Sequence, residues 1–327
     1  MDLETKALLL SIGTVQPSVP STPFQAGGQV STAGPGAGGK SVFFQSGERI
    51  VRLSVVESSP LRLERLEKDV SILKGNREIA SGKLVQPLLH CPEQAYITVS
   101  ERCIYDCKFC AVPKLQGGVK SMQTVRRMVD GAKQTGRLRA ISLTSGVEVS
   151  PRAEAQRVSE IVRDLKTFGL PLGVSVSPFP GVNQVLKRAG ADEVKYNLET
   201  VDCDLFRQVC PGISFQEIMD SLREAVDIFG KTRVFTNIIV GLGESDKILR
   251  QGIEELAEMG VLPVLRAVYP HPLRVGEVEM TRPSAERLLS LARCLTNALE
   301  KNDLKGDLAQ TGCYRCTGCD LAPGRDL

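Results

Sequence analysis

Ala95-Tyr96-Ile97-Thr98-Val99-Ser100-Glu101-Arg102-Cys103-Ile104-Tyr105-Asp106-Cys107-Lys108-Phe109-Cys110 runs from a short apolar segment into a loop with three cysteines, separated by three residues and then by two. Ala95 to Val99 has the length and β-branched content of a strand. Downstream, the same order of apolar strand, loop and amphipathic helix repeats. Strands are predicted at Ala95 to Val99, Ala140 to Leu143, Leu172 to Val176, Glu193 to Asn197, Arg233 to Val240 and Val264 to Val268. Helices are predicted at Thr124 to Thr135, Arg152 to Phe168, Val182 to Ala189, Phe215 to Phe229, Asp246 to Met259 and Ser284 to Leu299. Such a succession implies parallel strands joined by right-handed crossovers. Curved, the sheet is a partial (β/α)6 TIM-like barrel of the α/β class. A doubly wound open sheet fits the same alternation, but the unusual residues follow several strands instead of one switch point, which favours the barrel.

Working outward, Met1 to Ile12 reads as a short amphipathic helix. Gln16 to Lys40 is dense in Gly, Pro, Ser and Thr and reads as a linker, with a substrate-covering lid as the alternative. Ser41 to Phe44 and Arg49 to Val56 read as a β-hairpin around Ser46-Gly47-Glu48. Leu61 to Leu73 reads as a helix from the spacing of its leucines, with Gly75 after it. These segments divide the chain into an N-terminal extension (1–90), the partial barrel (91–302) and a cysteine-rich tail (303–327).

The 327 residues hold 41 basic and 38 acidic side chains, a balance too even to make nucleic acid an obligate partner. No apolar run approaches the roughly 18 to 20 residues of a membrane span, and the N-terminus lacks the order of a secretory signal, so no membrane partner and a cytoplasmic location are expected. Of ten cysteines, six fall in two tight clusters, which point to metal instead of disulfides. With His90 and His271 as the two histidines, a site with several ligands has to be built from sulfur.

Three thiolates on one loop can hold three irons of a [4Fe-4S] cluster and leave the fourth open to a small chelating ligand. A structural zinc knuckle is the plainer reading, though zinc sites favour paired two-residue spacings and four ligands. The spacing of Cys103, Cys107 and Cys110, with aromatic Phe109 before the last cysteine and a strand upstream, resembles the signature of the radical S-adenosylmethionine (SAM) superfamily. The resemblance implies that SAM binds the open iron and is cleaved to methionine and a 5′-deoxyadenosyl radical, which abstracts hydrogen from an unactivated carbon. It also implies a reductant such as ferredoxin or flavodoxin.

Further loops extend the likeness. After the second strand, Thr144-Ser145-Gly146-Val147-Glu148 stands where the superfamily holds the SAM amino group, which implies contacts by Ser145, Gly146 and Glu148. An ordinary strand-to-helix turn is the alternative. Asn197-Leu198-Glu199-Thr200-Val201 resembles a segment of lipoyl synthases and, more weakly, of biotin synthase. Alternation sends Asn197 and Glu199 to one side, and the resemblance makes them SAM contacts. A polar pair capping the next helix is the alternative. Ile239-Val240-Gly241-Leu242-Gly243-Glu244 resembles the stretch that packs adenine, through Ile239 and Gly241, while Glu244 also suits a helix start. On the sixth strand an inward Arg266 suits a carboxylate, and His271 reads as a surface or packing residue and not a ligand.

Cys313-Tyr314-Arg315-Cys316-Thr317-Gly318-Cys319 suggests a second iron–sulfur cluster, with structural zinc or free thiols as alternatives. A fourth ligand is missing locally. Cys91 suits a tail that stays at the amino-terminal end of the barrel, where a cluster would relay electrons or brace the fold. Cys203 suits a tail that returns to the carboxyl end, where a cluster touches substrate, and the family resemblance tilts the expectation that way. The likeness to biotin and lipoyl synthases covers about Ala95 to Glu244. It implies a sulfur-inserting transferase, with a lipoyl carrier protein or a related radical SAM subunit as partner. The alternatives are a radical rearrangement or methyl transfer in cofactor biosynthesis, or a non-catalytic iron–sulfur scaffold or electron carrier.

Overall fold

The computed structural model describes residues 1–18, 29–30, 37–66, 69–115 and 117–327. Much of the predicted linker from Gln16 to Lys40 lies outside the described residues. The chain starts with α1 (Leu3–Ile12), capped by the Asp2 carboxylate, which accepts the Thr5 N–H, and ended by Gly13 at φ 69°.

Among the described residues seven strands then precede the partial barrel: β1 (Thr14–Pro17), β2 (Gln29–Val30), β3 (Lys40–Ser46), β4 (Arg49–Val55), β5 (Leu61–Leu66), β6 (Asp69–Lys74) and β7 (Arg77–Val85). β3 and β4 form the expected hairpin. β1 lies parallel to both β4 and β5, and β7 pairs back onto β3, so six of the strands close into a small barrel. Closure leaves these strands with no open edge. The helix expected over Leu61 to Leu73 is therefore corrected to the strand pair β5 and β6. Leu61 and Leu63 are buried while Arg62 and Glu64 face out and bond each other, a period of two and not of 3.6.

The second half is the partial barrel. β8 (Gln94–Thr98), β9 (Ala140–Thr144), β10 (Leu172–Ser175), β11 (Glu193–Lys195), β12 (Val234–Val240) and β13 (Leu262–Ala267) are all parallel and lie side by side in chain order, open between β13 and β8. Its helices are α2 (Met122–Gln134), α3 (Pro151–Leu165), α4 (Val182–Ala189), α5 (Cys203–Val209), α6 (Phe215–Phe229), α7 (Asp246–Met259) and α8 (Ala285–Lys301). Five of them begin after a serine whose hydroxyl accepts a first-turn N–H: Ser121, Ser150, Ser214, Ser245 and Ser284. Their apolar stripes pack on the sheet, as with Val125, Val129 and Ala132 on α2.

After α8 the tail does not return to the carboxyl ends of the strands. It runs under their amino ends and forms α9 (Gly312–Cys316) there. The buried Glu193 carboxylate, at the start of β11, accepts the Gln310 and Thr311 N–H groups at 2.9 and 2.8 Å. Gln94, at the start of β8, accepts the Gly312 N–H at 2.8 Å and donates to its carbonyl at 3.0 Å, and Tyr314 donates to the Pro263 carbonyl on β13 at 2.8 Å. The last residues are pinned to the N-terminal barrel: Lys6, wholly buried, donates to Asp326 and to the Thr317 carbonyl, both at 2.7 Å.

Candidate cluster and cofactor site

The loop from Cys103 to Cys110 leaves the carboxyl end of β8 and is held from three sides. The Ile104 N–H donates to Val147 and the Lys108 N–H to Val209, at 2.7 and 2.8 Å. Gly146 lies so close beneath the loop that a Cβ there would meet the Arg102 carbonyl at 2.2 Å, which explains a glycine at this turn. From the far side, fully buried Arg274 donates through Nε to the Cys110 carbonyl at 2.6 Å and pairs with Asp106 and Glu277 at 2.7 Å each. Phe109 is buried beneath the loop. Burial raises the Cys103 thiol, with backbone N–H groups of Val147 and Tyr105 working against it, and pushes the Cys110 thiol up to about 12.

These thiols open onto a chamber of about 300 Å³ inside the barrel. Its walls come in layers because inward residues alternate along each strand. Tyr96 and Thr98 face it from β8, Thr144 from β9, Ser175 from β10, Asn237 and Ile239 from β12 and Arg266 from β13. Below them a small cavity holds Ser142, Gly173, Glu193, Phe235 and Val264, closed by Thr311, Gly312 and Cys313 of the tail. The N-terminal barrel adds Arg52 and Ser54 to the chamber wall.

Of the residues singled out in the sequence, Cys103, Cys107, Cys110, Phe109, Ser145, Gly146, Asn197, Glu199, Ile239 and Cys319 line this chamber together. The Ser145 hydroxyl already serves the fold, accepting the Ser100 N–H at 2.9 Å and donating to Glu154. Glu148 lies outside the chamber lining, paired with Arg157 at 2.8 Å and Arg102 at 3.3 Å. Gly241 also lies behind the lining, its N–H bound at 2.7 Å by Glu244, which organises this turn and pairs with Arg287. His271 is buried against the Ala37 carbonyl at 3.0 Å, a packing residue as expected.

Asn197 and Glu199 do share a side, although β11 ends at Lys195 and Glu199 sits at φ 65°, a left-handed conformation costly for a side chain with a Cβ. Burial raises the Glu199 carboxyl to about 7, against the pull of Lys195 and Arg266 and a hydrogen bond from Asn197. The amide oxygens of Asn197 and Asn237 are buried without a hydrogen-bond partner among the described residues. Two orphaned acceptors beside three thiols in a closed chamber suit a ligand with N–H or O–H donors, such as an amino group or a ribose.

Sequence reasoning passed over Lys195. The alternation that turns Asn197 inward turns Lys195 and Glu193 the same way, so the signal was present. It also gave no role to Cys210, which lines the chamber with Cys107 and whose thiol is raised by that neighbour and by burial. Nothing local announces that proximity, since α5 intervenes in the chain.

Cys313 and Cys316 lie on α9 and Cys319 just beyond, all at the amino-terminal end of the barrel. Cys91, immediately ahead of β8, is buried beside this segment, where Glu93 pairs with Arg315 at 3.4 Å and Gln94 accepts the Gly312 N–H, and the neighbouring Cys316 and burial raise its thiol. Cys203 stands elsewhere, at the start of α5 beside Arg207 at 3.5 Å. The expectation of a tail at the carboxyl end with Cys203 is thus corrected: the anchors at Glu193, Gln94 and Pro263 hold it at the other end. Among the described residues no three His, Cys, Asp or Glu side chains converge closely enough to grip a single metal ion.

A partial parallel α/β barrel with a three-thiol loop at the carboxyl end of its first strand defines the class of protein. Residues 97–256 match the model of the radical SAM superfamily, and the chain belongs to that family. Membership implies a [4Fe-4S] cluster, SAM and an external reductant. The chain is 29% identical over 157 residues to a biotin synthase of Aquifex aeolicus, covering 45% of this chain and 46% of that one. It is 24% identical to a lipoyl synthase of Caldanaerobacter subterraneus (50% and 59% covered) and 25% identical to a GTP 3′,8-cyclase of Marinobacter nauticus (48% and 48%). The chain spans about half the length of the curated relatives it matches. Among solved structures, methylornithine synthase superposes with a TM-score of 0.54 at 20% identity, covering 63% of this chain and 62% of that one, a likeness of fold. Among the described residues no helix is long and apolar enough to cross a membrane.

Proposed function

We propose that this chain is a radical SAM transferase of the biotin and lipoyl synthase kind, inserting sulfur at an unactivated C–H position. Cys103, Cys107 and Cys110 hold its [4Fe-4S] cluster, and Cys313, Cys316 and Cys319 hold a second iron–sulfur cluster. The observation that carries the reading is that Cys107 and Cys110 at one end and Cys319 at the other line a single chamber. A substrate placed there lies between both sulfur-rich walls. When bound, cluster and SAM supply reductive cleavage of the sulfonium and hydrogen abstraction from carbon; the chain supplies binding, orientation and shelter.

Each residue then has a task. Thiols must shed their protons to ligate, and burial makes that harder for Cys103 and Cys110, so cluster assembly releases protons and is favoured as pH rises. Asn197, Glu199 and Asn237 offer acceptors to the amino and hydroxyl groups of SAM, and Ile239 offers an apolar face to its adenine. Val112, Val147, Phe206 and Ile218 keep the chamber wall apolar around the reacting carbon. Ferredoxin or flavodoxin is the proposed reductant, and a lipoyl carrier protein or a related radical SAM subunit the proposed partner.

Similarity to GTP 3′,8-cyclase at the same level as to lipoyl synthase supports one rival, a radical rearrangement without sulfur transfer. The test is anaerobic reconstitution and reduction in the presence of SAM. 5′-Deoxyadenosine should form in the wild type and not in Cys107→Ala. An octanoyl-lysine peptide that gains sulfur supports insertion. Turnover of SAM with the peptide unchanged, and sulfur missing from every product, refutes it.

A further inference from the structure

Lys195, buried, and Arg266, half-buried, are cations that face the barrel chamber with no carboxylate within ion-pair distance among the described residues. Lys195 is 9% exposed, and its ammonium meets only the Tyr96 hydroxyl, at 3.4 Å. Arg266 reaches the Cys313 sulfur at 3.8 Å, with Asp320 acting on it from further off. An enclosed cation without a counter-charge is strongly destabilising, and two side by side are worse. Sulfur lies close to these cations: Cys313 is 3.8 Å from the Arg266 guanidinium, and Cys319 lines the same chamber as Lys195 and Arg266.

The four thiols come from two distant parts of the chain, and separate devices hold each part. Cys91 precedes β8, where the Leu88 N–H bonds the Cys91 carbonyl at 2.8 Å. Cys313 and Cys316 ride on α9, fixed by Gln94 and Glu193. Cys319 follows Gly318, whose carbonyl accepts the Arg52 N–H at 2.6 Å and whose missing side chain leaves room for Phe43 of the N-terminal barrel. Free thiols would give no counter-charge to Lys195 and Arg266. A four-thiolate iron–sulfur cluster is a net anion, and its potential responds to local charge.

We propose that Cys91 is the fourth ligand of the second cluster, completing a site with Cys313, Cys316 and Cys319, and that Lys195 and Arg266 offset the charge of that cluster. The proposal rests on reading the C-terminal cysteines as a cluster site, so the test separates the two. The full chain carrying Cys103→Ala, Cys107→Ala and Cys110→Ala, reconstituted anaerobically, should retain about four irons with matching sulfide and an EPR signal on reduction. Binding no iron, or zinc without sulfide, would refute both the reading and the proposal.

If the cluster is present, adding Cys91→Ser should abolish it or change its EPR signal, while adding Cys203→Ser should leave it unaltered. A second cluster indifferent to Cys91→Ser overturns the ligand assignment alone. Because Cys91 is buried, Cys91→Ser is also made with the first loop intact. Retention of about four irons and of 5′-deoxyadenosine formation then marks a lost ligand, whereas loss of both clusters marks a structural role and overturns the assignment. Arg266→Met and Lys195→Met should each move the midpoint potential of the second cluster to more negative values. An unmoved potential in both overturns the charge-offsetting role.

Discussion

Glu199 concentrates several costs in one residue: a left-handed backbone, an enclosed carboxyl and a place among thiols and cations. Its raised carboxyl sets a pH dependence whose sign is fixed. The folded chain keeps a proton to about pH 7 that the unfolded chain releases near 4.3, so stability falls as pH rises between those values and levels off above. In cluster-free protein, Glu199→Gln should therefore be more stable than wild type at pH 8, by roughly 1 to 3 kcal/mol, and nearly equal to it at pH 4. Thermal melts across that range check the slope. Arg274 is the other residue whose worth is specific. Arg274→Met removes the bond to the Cys110 carbonyl, but Asp106 and Glu277 are partly exposed and regain water, so the expected loss is about 1 to 3 kcal/mol in urea unfolding. Iron uptake by the Cys103 loop should fall with it.

At the scale of elements, the tail is held by a buried ion pair with few substitutes. Lys6 and Asp326 are 0% and 3% exposed at the side chain, and Asp326 also accepts the Ala322 N–H at 2.9 Å. Lys6→Met leaves the buried carboxylate with only the more distant Arg49, 3.9 Å away, and should cost about 2 to 4 kcal/mol, while Lys6→Met with Asp326→Leu should recover part of that. A double-mutant cycle by urea unfolding reads the coupling. The turn after β9 gives a second case: Gly146→Ala drives a methyl into the Arg102 carbonyl, so the Cys103 loop has to move. Reconstituted Gly146→Ala should bind less iron than wild type while its far-UV circular dichroism stays the same.

For the whole molecule, the chamber joins what the chain keeps apart: the Cys103 loop above, Cys319 of the tail below and Arg52 from the N-terminal barrel at the side. Ligand binding should therefore stabilise the entire fold. SAM at a hundred times its dissociation constant should add about 2.7 kcal/mol to reconstituted wild type, seen as a raised Tm, and nothing to Cys107→Ala. Much of this was legible in local sequence. Six strand and helix segments, the cysteine spacing and the inward turn of Asn197 and Glu199 follow from periodicities of two and 3.6 and from turn chemistry, which act over a few residues. The chain alone determined a parallel α/β half-barrel bearing a three-thiol loop. Only the tertiary structure decided that Leu61 to Leu73 is a strand pair, that the first strands close into a barrel, and that Cys91 and not Cys203 meets the tail cysteines. The physical reason is that those outcomes depend on partners far away in sequence. Leucine spacing does not register that β1 inserts between β4 and β5, and a CxxCxxC motif carries no information about Glu193 and Gln94, the groups that hold it beneath the barrel.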